Sequence, residues 1–146
     1  MRAVIQRITQ GSVQVNQHLI ADQNSPGLLI FLGIGKKDNE EIAIQLARKI
    51  SNLRIFSDEN GKMNLSIRDI QGKSIVVSQF TLFADTKRGN RPSFIEAGDP
   101  EKANFLVNFF ANYLESLGVP TQQGEFAADM QVSLTNDGPV TIWLEV

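Results

Sequence analysis

Three short segments of this 146-residue chain hold side chains whose types and spacing suit chemistry. The first is Ser78-Gln79-Phe80-Thr81-Leu82, which sets three polar side chains in the otherwise apolar stretch 75–82. Polar groups buried there cost about 1–3 kcal/mol each unless they find hydrogen bonds. If the stretch is strand throughout, period two places Ser78 and Phe80 on one face and Gln79 and Thr81 on the other. The plain reading is a strand with one wetted face. The functional reading is a site at the strand's end, with Gln79 and Thr81 in a cleft and the backbone N–H groups near Phe80 and Thr81 stabilising an oxyanion. The second segment, 85–94, gathers Lys87, Arg88 and Arg91 beside Gly89 and Phe94. A solvated surface loop is the ordinary explanation, yet this is the densest positive cluster of the chain and could meet a phosphate or two of a short nucleic-acid end. The third is Asn136-Asp137-Gly138-Pro139-Val140-Thr141, on its face a hairpin turn. The sequence does not fix the isomer of its Gly-Pro bond, and X-Pro bonds are where cis peptides occur. A cis bond there would make a rigid wall of carbonyl and amide groups, able to recognise a substrate by backbone alone.

Other chemistry is scarce. The chain has no cysteine, hence no disulfide, thiolate nucleophile or thiolate-held metal. His18 is the single histidine and falls in a predicted hairpin, where it reads as a surface residue; a Ser-His-Asp triad would have to be built around it. Glu40/Glu41 and Asp58/Glu59 sit at a helix start and a turn, where acids serve local ends. Gly33-Ile34-Gly35 lacks the third glycine of a dinucleotide fingerprint, and no P-loop pattern is present. No spacing of histidine and carboxylates points to a metal, so neither metal nor cofactor is expected. Phe105, Phe109, Phe110 and Phe126 read first as core, although Phe126 lies near the third segment.

The elements that would position these groups follow from periodicity. Residues 2–9 alternate as a strand, with Val4 and Ile8 on one face and Ala3, Ile5 and Arg7 on the other. Residues 12–21 read as a hairpin about Asn16-Gln17, and 27–34 (GLLIFLGI) as a strand buried on both faces. Asp38 with Glu41 looks like a capping box opening a helix whose stripe is Ile42, Leu46, Ile50 and Leu53, ending near Asn52. A hairpin over Asn60-Gly61 and the strand 74–82 come next. Asp99-Pro100-Glu101 starts a second helix with the stripe Ala103, Leu106, Val107, Phe110, Leu114 and Leu117, stopped by Gly118 and Pro120. Residues 121–134 supply further strand, 136–139 turn, and 140–146 alternate to the last residue. Two helices among seven to nine strands make an α+β pattern with a mainly antiparallel sheet, and the length fits one domain over 1–146.

Hydrophobic residues make up 42% and charged residues 21%, which argues against disorder. No apolar run reaches the roughly 20 residues of a membrane helix. The opening Met1-Arg2-Ala3-Val4 lacks the apolar centre of a signal peptide, so a cytoplasmic protein without membrane contact is expected. Fourteen basic against sixteen acidic residues give a net charge of −2, which disfavours wrapping a long duplex and leaves DNA out as a partner.

Together the segments resemble the D-aminoacyl-tRNA deacylases, formerly called D-tyrosyl-tRNA deacylases. The match runs over essentially the whole chain, through MRAVIQR, RIFSDENGKMN, SQFTLFADTKRGNRPSF, GEFAADMQVSL and NDGPVTIWLEV. SQFTL and NDGPVT, in this order and at these distances from the ends, are its specific part. The resemblance implies a homodimer of partly open, mainly antiparallel β-barrels with two external helices and active sites at the subunit interface. It implies hydrolysis of the ester between a D-amino acid and the aminoacyl-tRNA 3′ end, with glycine removed from tRNA that should carry alanine. By the same resemblance Gly138-Pro139 is a cis pair inserted into the other subunit's pocket to reject L-amino acids. Ser78, Gln79, Phe80 and Thr81 would line that pocket, Arg7 would hold the Gly-Pro segment, and Phe126 and Met130 would lie near the adenosine. Ser78-Gln79 matches the chirality-checking branch rather than a related animal branch with Pro before the Gln. Ala127 stands where some relatives carry Gly.

The chemistry agrees with this resemblance. An aminoacyl ester is already activated, so its hydrolysis needs water, oxyanion donors and placement more than a strong nucleophile. The amides of Phe80 and Thr81 are assigned to the carbonyl oxygen and the ribose 2′-hydroxyl to the water. Thr81 is the rival, as an acyl-accepting nucleophile, but no neighbour in the sequence would activate it. A non-catalytic RNA-end binder and a Thr-based hydrolase of small esters or amides remain as readings from other classes.

Overall fold

The computed structural model describes residues 1–146. Strand β1 (Arg2–Val15) is the axis of the sheet and runs on past the expected end at Thr9, its alternation and its pairing register shifting between Gln6 and Gln10. One side of β1 pairs antiparallel along its whole length with the last strand of the chain; the other pairs with β3 (Gly27–Gly33) over its first half and with β2 (His18–Gln23) beyond Gly11. The sheet then continues in parallel register from β3 to β6 (Lys73–Ser78) and β7 (Thr121–Gln123). Antiparallel pairs therefore predominate, with a parallel stretch where the chain crosses over through a helix. A two-stranded ribbon, β4 (Phe56–Ser57) with β5 (Met63–Leu65), flanks the Asn60-Gly61 turn.

Period two sorts the strands into two cores. Ala3, Ile5, Leu28, Ile30 and Leu32 face the helices α1 (Glu40–Ser51) and α2 (Pro100–Ser116), where Leu46, Ile50, Leu106, Phe110 and Leu114 meet them. On the opposite face Ile8, Val13, Ala21, Leu29, Ile75 and Val77 fill the concave side of the sheet. The curl does not close with a backbone ladder. Asp22 on β2 and Gln122 on β7 bridge the gap instead, the Asp22 amide donating to Gln122 Oε1 at 3.0 Å and Gln122 Nε2 donating to the Asp22 carbonyl at 2.7 Å. The result is a partly open barrel with its two helices outside. No helix is long and apolar enough to cross a membrane.

Several expectations need correction. The α1 cap is Asn39, whose side chain accepts from the Ile42 amide at 3.0 Å, and not Asp38. Asp38 is buried and drawn elsewhere: its Oδ1 accepts from the Met1 α-ammonium and its Oδ2 from the Gly35 amide, each at 2.7 Å. The strand read over 74–82 stops at Ser78, and Phe80–Phe83 coil into a 3₁₀ turn. The segment 136–139 is not a hairpin turn either. Both its flanks belong to one strand, β8 (Met130–Glu145), which pairs with β1 on either side of it.

Candidate active site

The turn at residues 79–83 closes against Gly35, far away in sequence. Gln79 bonds its amide to the Leu32 carbonyl at 2.8 Å, the last act of the ladder, and then leaves the sheet at φ −144°, ψ 80°. Phe83 can tuck inward because Gly35 has no side chain: a Cβ there would lie 2.8 Å from two ring carbons of Phe83. Arg2 covers that ring, its guanidinium 4.4 Å from the centroid and its Nη1 donating to the Leu82 carbonyl at 3.0 Å. With Phe83 anchored, Phe80 and Thr81 turn outward, and Phe80 is 59% exposed. Gln79 Nε2 donates to Thr81 Oγ1, so the hydroxyl's near partner is an amide with no basicity.

Below this turn lies a cavity of about 630 Å³ lined largely by apolar side chains. Ser78, Gln79 and Phe80 form one wall, and Phe126 and Met130 form another. The loop 124–129 between β7 and β8 closes that second wall, with Ala127 at φ 61°, the left-handed region that a glycine would enter more readily. Pro100, Ala103 and Val107 from the start of α2 supply the floor, and Phe94 packs edge-on against Phe80 with centroids 5.0 Å apart. Phe94 and Asp129 line the cavity and escaped the sequence reading. Phe94 stood out only as an aromatic in a basic loop, and Asp129 carried no signal.

The third segment forms a separate cluster. Between the pairs Gln6↔Thr141 and Ile8↔Asn136, the four residues 137–140 stand opposite Arg7 alone and bulge outward. Arg7 is 8% exposed and holds the bulge from beneath, Nε donating to the Asp137 carbonyl at 3.0 Å and Nη1 to the Ile55 carbonyl at 2.7 Å. Asn136 Oδ1 accepts from the Val140 amide at 2.9 Å across the neck of the bulge. Gly138 and Pro139 are exposed at its crest, and the peptide bond between them is cis. Thus Ser78, Gln79, Phe80, Phe126 and Met130 are brought to one cavity, whereas Thr81, exposed next to Phe80, does not line it, nor do Arg7, Gly138 and Pro139. His18 is exposed on the hairpin, far from any such role, its Nδ1 2.9 Å from the Asn16 carbonyl.

The family described as D-Tyr-tRNA(Tyr) deacylase matches residues 4–145. A D-aminoacyl-tRNA deacylase of Dictyoglomus turgidum is 59% identical over 99% of this chain and 92% of its own length. One of Shewanella denitrificans is 54% identical over the full length of both chains. Among solved structures, a c-Myc DNA unwinding element binding protein superposes with a TM-score of 0.93 at 40% identity, covering 100% of this chain and 99% of that one. A probable eukaryotic D-amino acid tRNA deacylase superposes at 0.82 with 14% identity over 99% and 98%, a likeness of fold. The chain belongs to the D-aminoacyl-tRNA deacylase family, and it is a hydrolase.

Proposed function

We propose that this chain, acting in the cytoplasm as a homodimer, hydrolyses the ester that joins a D-amino acid to the 3′-terminal adenosine of tRNA, with glycine mischarged on tRNA(Ala) as a second substrate. The observation that carries the reading is the separation of the two clusters on one chain. The cavity under Gln79 and Phe80 is open, and the Gly138-Pro139 crest projects to solvent with Arg7 fixing it from below. A second copy facing the first lets each crest close the other's cavity.

In this arrangement the adenosine lies against Phe126 and Met130, with Ser78 and Gln79 along the wall beside the ribose. The ester carbonyl points at the amides of Phe80 and Thr81. Amides in the first turn of a helix have no carbonyl one turn behind them, which leaves such N–H groups for an incoming oxygen. Water, assisted by the vicinal 2′-hydroxyl, adds to the carbonyl carbon; the bond to the ribose 3′-oxygen breaks and that oxygen takes the proton, releasing free amino acid and tRNA. Donors aimed at the developing oxyanion stabilise it more than they stabilise the ester, which is the condition for catalysis.

Handedness follows from exclusion. With the α-ammonium held by a main-chain carbonyl and the ester fixed, a D side chain points to solvent, whereas an L side chain meets the Gly138-Pro139 wall. Glycine has nothing to collide and passes. Although a structural relative at 40% identity is named for binding a DNA element, the net charge of −2 speaks for a short RNA end rather than a long duplex. The deciding experiment charges one tRNA with the D and the L form of one amino acid. Release from the D form with the L form resisting by orders of magnitude is the expected outcome, and comparable rates would refute the exclusion mechanism. Binding of the D-charged tRNA without turnover would leave only an RNA-end binder.

A further inference from the structure

Beside the cavity stands a structure that the deacylation chemistry does not use. Residues 85 and 93 form an antiparallel bridge, the Asp85 amide donating to the Ser93 carbonyl at 2.8 Å and the Ser93 amide to the Asp85 carbonyl at 2.9 Å. Asp85 Oδ1 also accepts from the Lys87 amide at 2.9 Å. These bonds pinch the chain into a finger over 86–92, whose residues are all exposed and which reverses at Gly89, φ 74°. Its root is fixed to the cavity: Phe94 packs against Phe80 and lines the wall, and Ala97 and Gly98 attach to Gly35 and Ile34.

The finger holds Lys87, Arg88 and Arg91 and no acid, while the rest of the chain has eleven basic and sixteen acidic residues. No ion pair within the chain involves any of the three. Three cations on a rigid root, left without carboxylate partners, form a local positive field on an otherwise anionic body. Such a field attracts a polyanion only within about one Debye length, roughly 8–10 Å, so it acts on chain that passes close to the finger.

We propose that Lys87, Arg88 and Arg91 grip the phosphodiester groups of the single-stranded RNA immediately upstream of the terminal adenosine. This inference rests on the D-aminoacyl-tRNA reading above and adds to it the element that makes a whole tRNA a better substrate than its terminal nucleoside. Phosphate contacts position a nucleic acid without reading its bases, so the finger orients the 3′ end in the same way for any tRNA.

The test compares wild type with the triple variant K87Q/R88Q/R91Q on two substrates, a D-aminoacyl-tRNA and the matching 3′-O-D-aminoacyl adenosine, which has no phosphate. In wild type kcat/KM favours the tRNA. In the triple variant that preference falls at least about tenfold, through KM. The slope of log kcat/KM against log salt flattens by about 2, since each single-strand phosphate contact contributes about 0.7. The charge-keeping variant K87R/R88K/R91K retains the preference. An unchanged preference in the triple variant, an equal loss on both substrates, or a loss in the charge-keeping variant would overturn the proposal. Wild type that favours neither substrate while hydrolysing both defeats this inference alone; wild type inert on both defeats the deacylase reading itself.

Discussion

Arg7 shows how one buried cation can shape a site from which it is absent. Its guanidinium spans two carbonyls, Asp137 and Ile55, in directions that a lysine ammonium cannot serve together. Arg7→Lys is therefore expected to leave the Ile55 carbonyl unsatisfied at a cost of about 1–3 kcal/mol in denaturant unfolding. The same change loosens the crest, so the hydrolysis rate of L-aminoacyl-tRNA rises relative to D. Stability loss with unchanged discrimination would separate Arg7 from the filter. Phe80 allows a sharper test of the oxyanion assignment. Proline is tolerated at the first position of a helix and removes only the N–H that the mechanism requires, so Phe80→Pro should lose about 10²–10³ in kcat relative to Phe80→Ala, which keeps the amide. Thr81→Val addresses the covalent rival: turnover largely retained supports water as nucleophile, and near-complete loss in a folded variant supports acyl transfer to Thr81.

At the level of elements, local pattern was readable and long-range competition was not. The doubly buried β3, the α2 start at Asp99-Pro100, the α1 end at Asn52 and the Asn60-Gly61 ribbon all follow from period and punctuation, because the groups that decide them are neighbours in sequence. Ser78-Gln79-Phe80-Thr81 has β-forming residues and read as strand, but Gly35 and Arg2, remote in the chain, draw Phe83 inward and coil the turn. Asp38 looked like a cap until the Met1 ammonium claimed it, 37 residues away. That claim has a measurable consequence: Asp38→Ala removes the counter-charge of the buried Met1 ammonium, which keeps only the Val146 carbonyl at 2.8 Å, and strips the Gly35 amide of its acceptor, and should cost about 3–5 kcal/mol. The turns give a pH dependence. The Lys62 amide holds the Asp58 carboxyl below its ordinary range, and the Ser66 amide does the same for Asp69. A depressed folded pKa stabilises above the unfolded value of about 3.9 and is lost as pH falls through the folded one. Stability measured by circular dichroism should therefore lose the contribution of these two carboxylates as pH falls below about 4, and Asp58→Asn or Asp69→Asn should lessen that loss.

For the molecule as a whole, the sequence named candidate residues but not how the fold divides them between two clusters. The family resemblance proposed Ser78, Gln79, Phe80, Phe126, Met130, Gly138 and Pro139, and the folded sheet shows that the first five share a cavity while the last two stand apart. The proposed homodimer is what would reunite them. A surface for that second copy lies where Val4 stands between Phe31 and Trp143 across three strands, with Trp143 54% exposed. Trp143→Glu should shift the protein to monomer in size-exclusion chromatography and lower turnover of D-aminoacyl-tRNA in proportion. The most direct test of a handedness filter lent across the interface mixes two defective proteins. Pro139→Gly opens the crest and leaves the cavity whole; Phe80→Pro disables the cavity and leaves the crest whole. Allowed to exchange subunits, they form mixed dimers in which the intact cavity faces the intact crest. The expected result is recovery of D-over-L discrimination beyond that of Pro139→Gly alone, as L-aminoacyl-tRNA hydrolysis falls with added Phe80→Pro. L hydrolysis that stays at the unmixed level in verified mixed dimers would contradict a filter supplied by the neighbouring subunit.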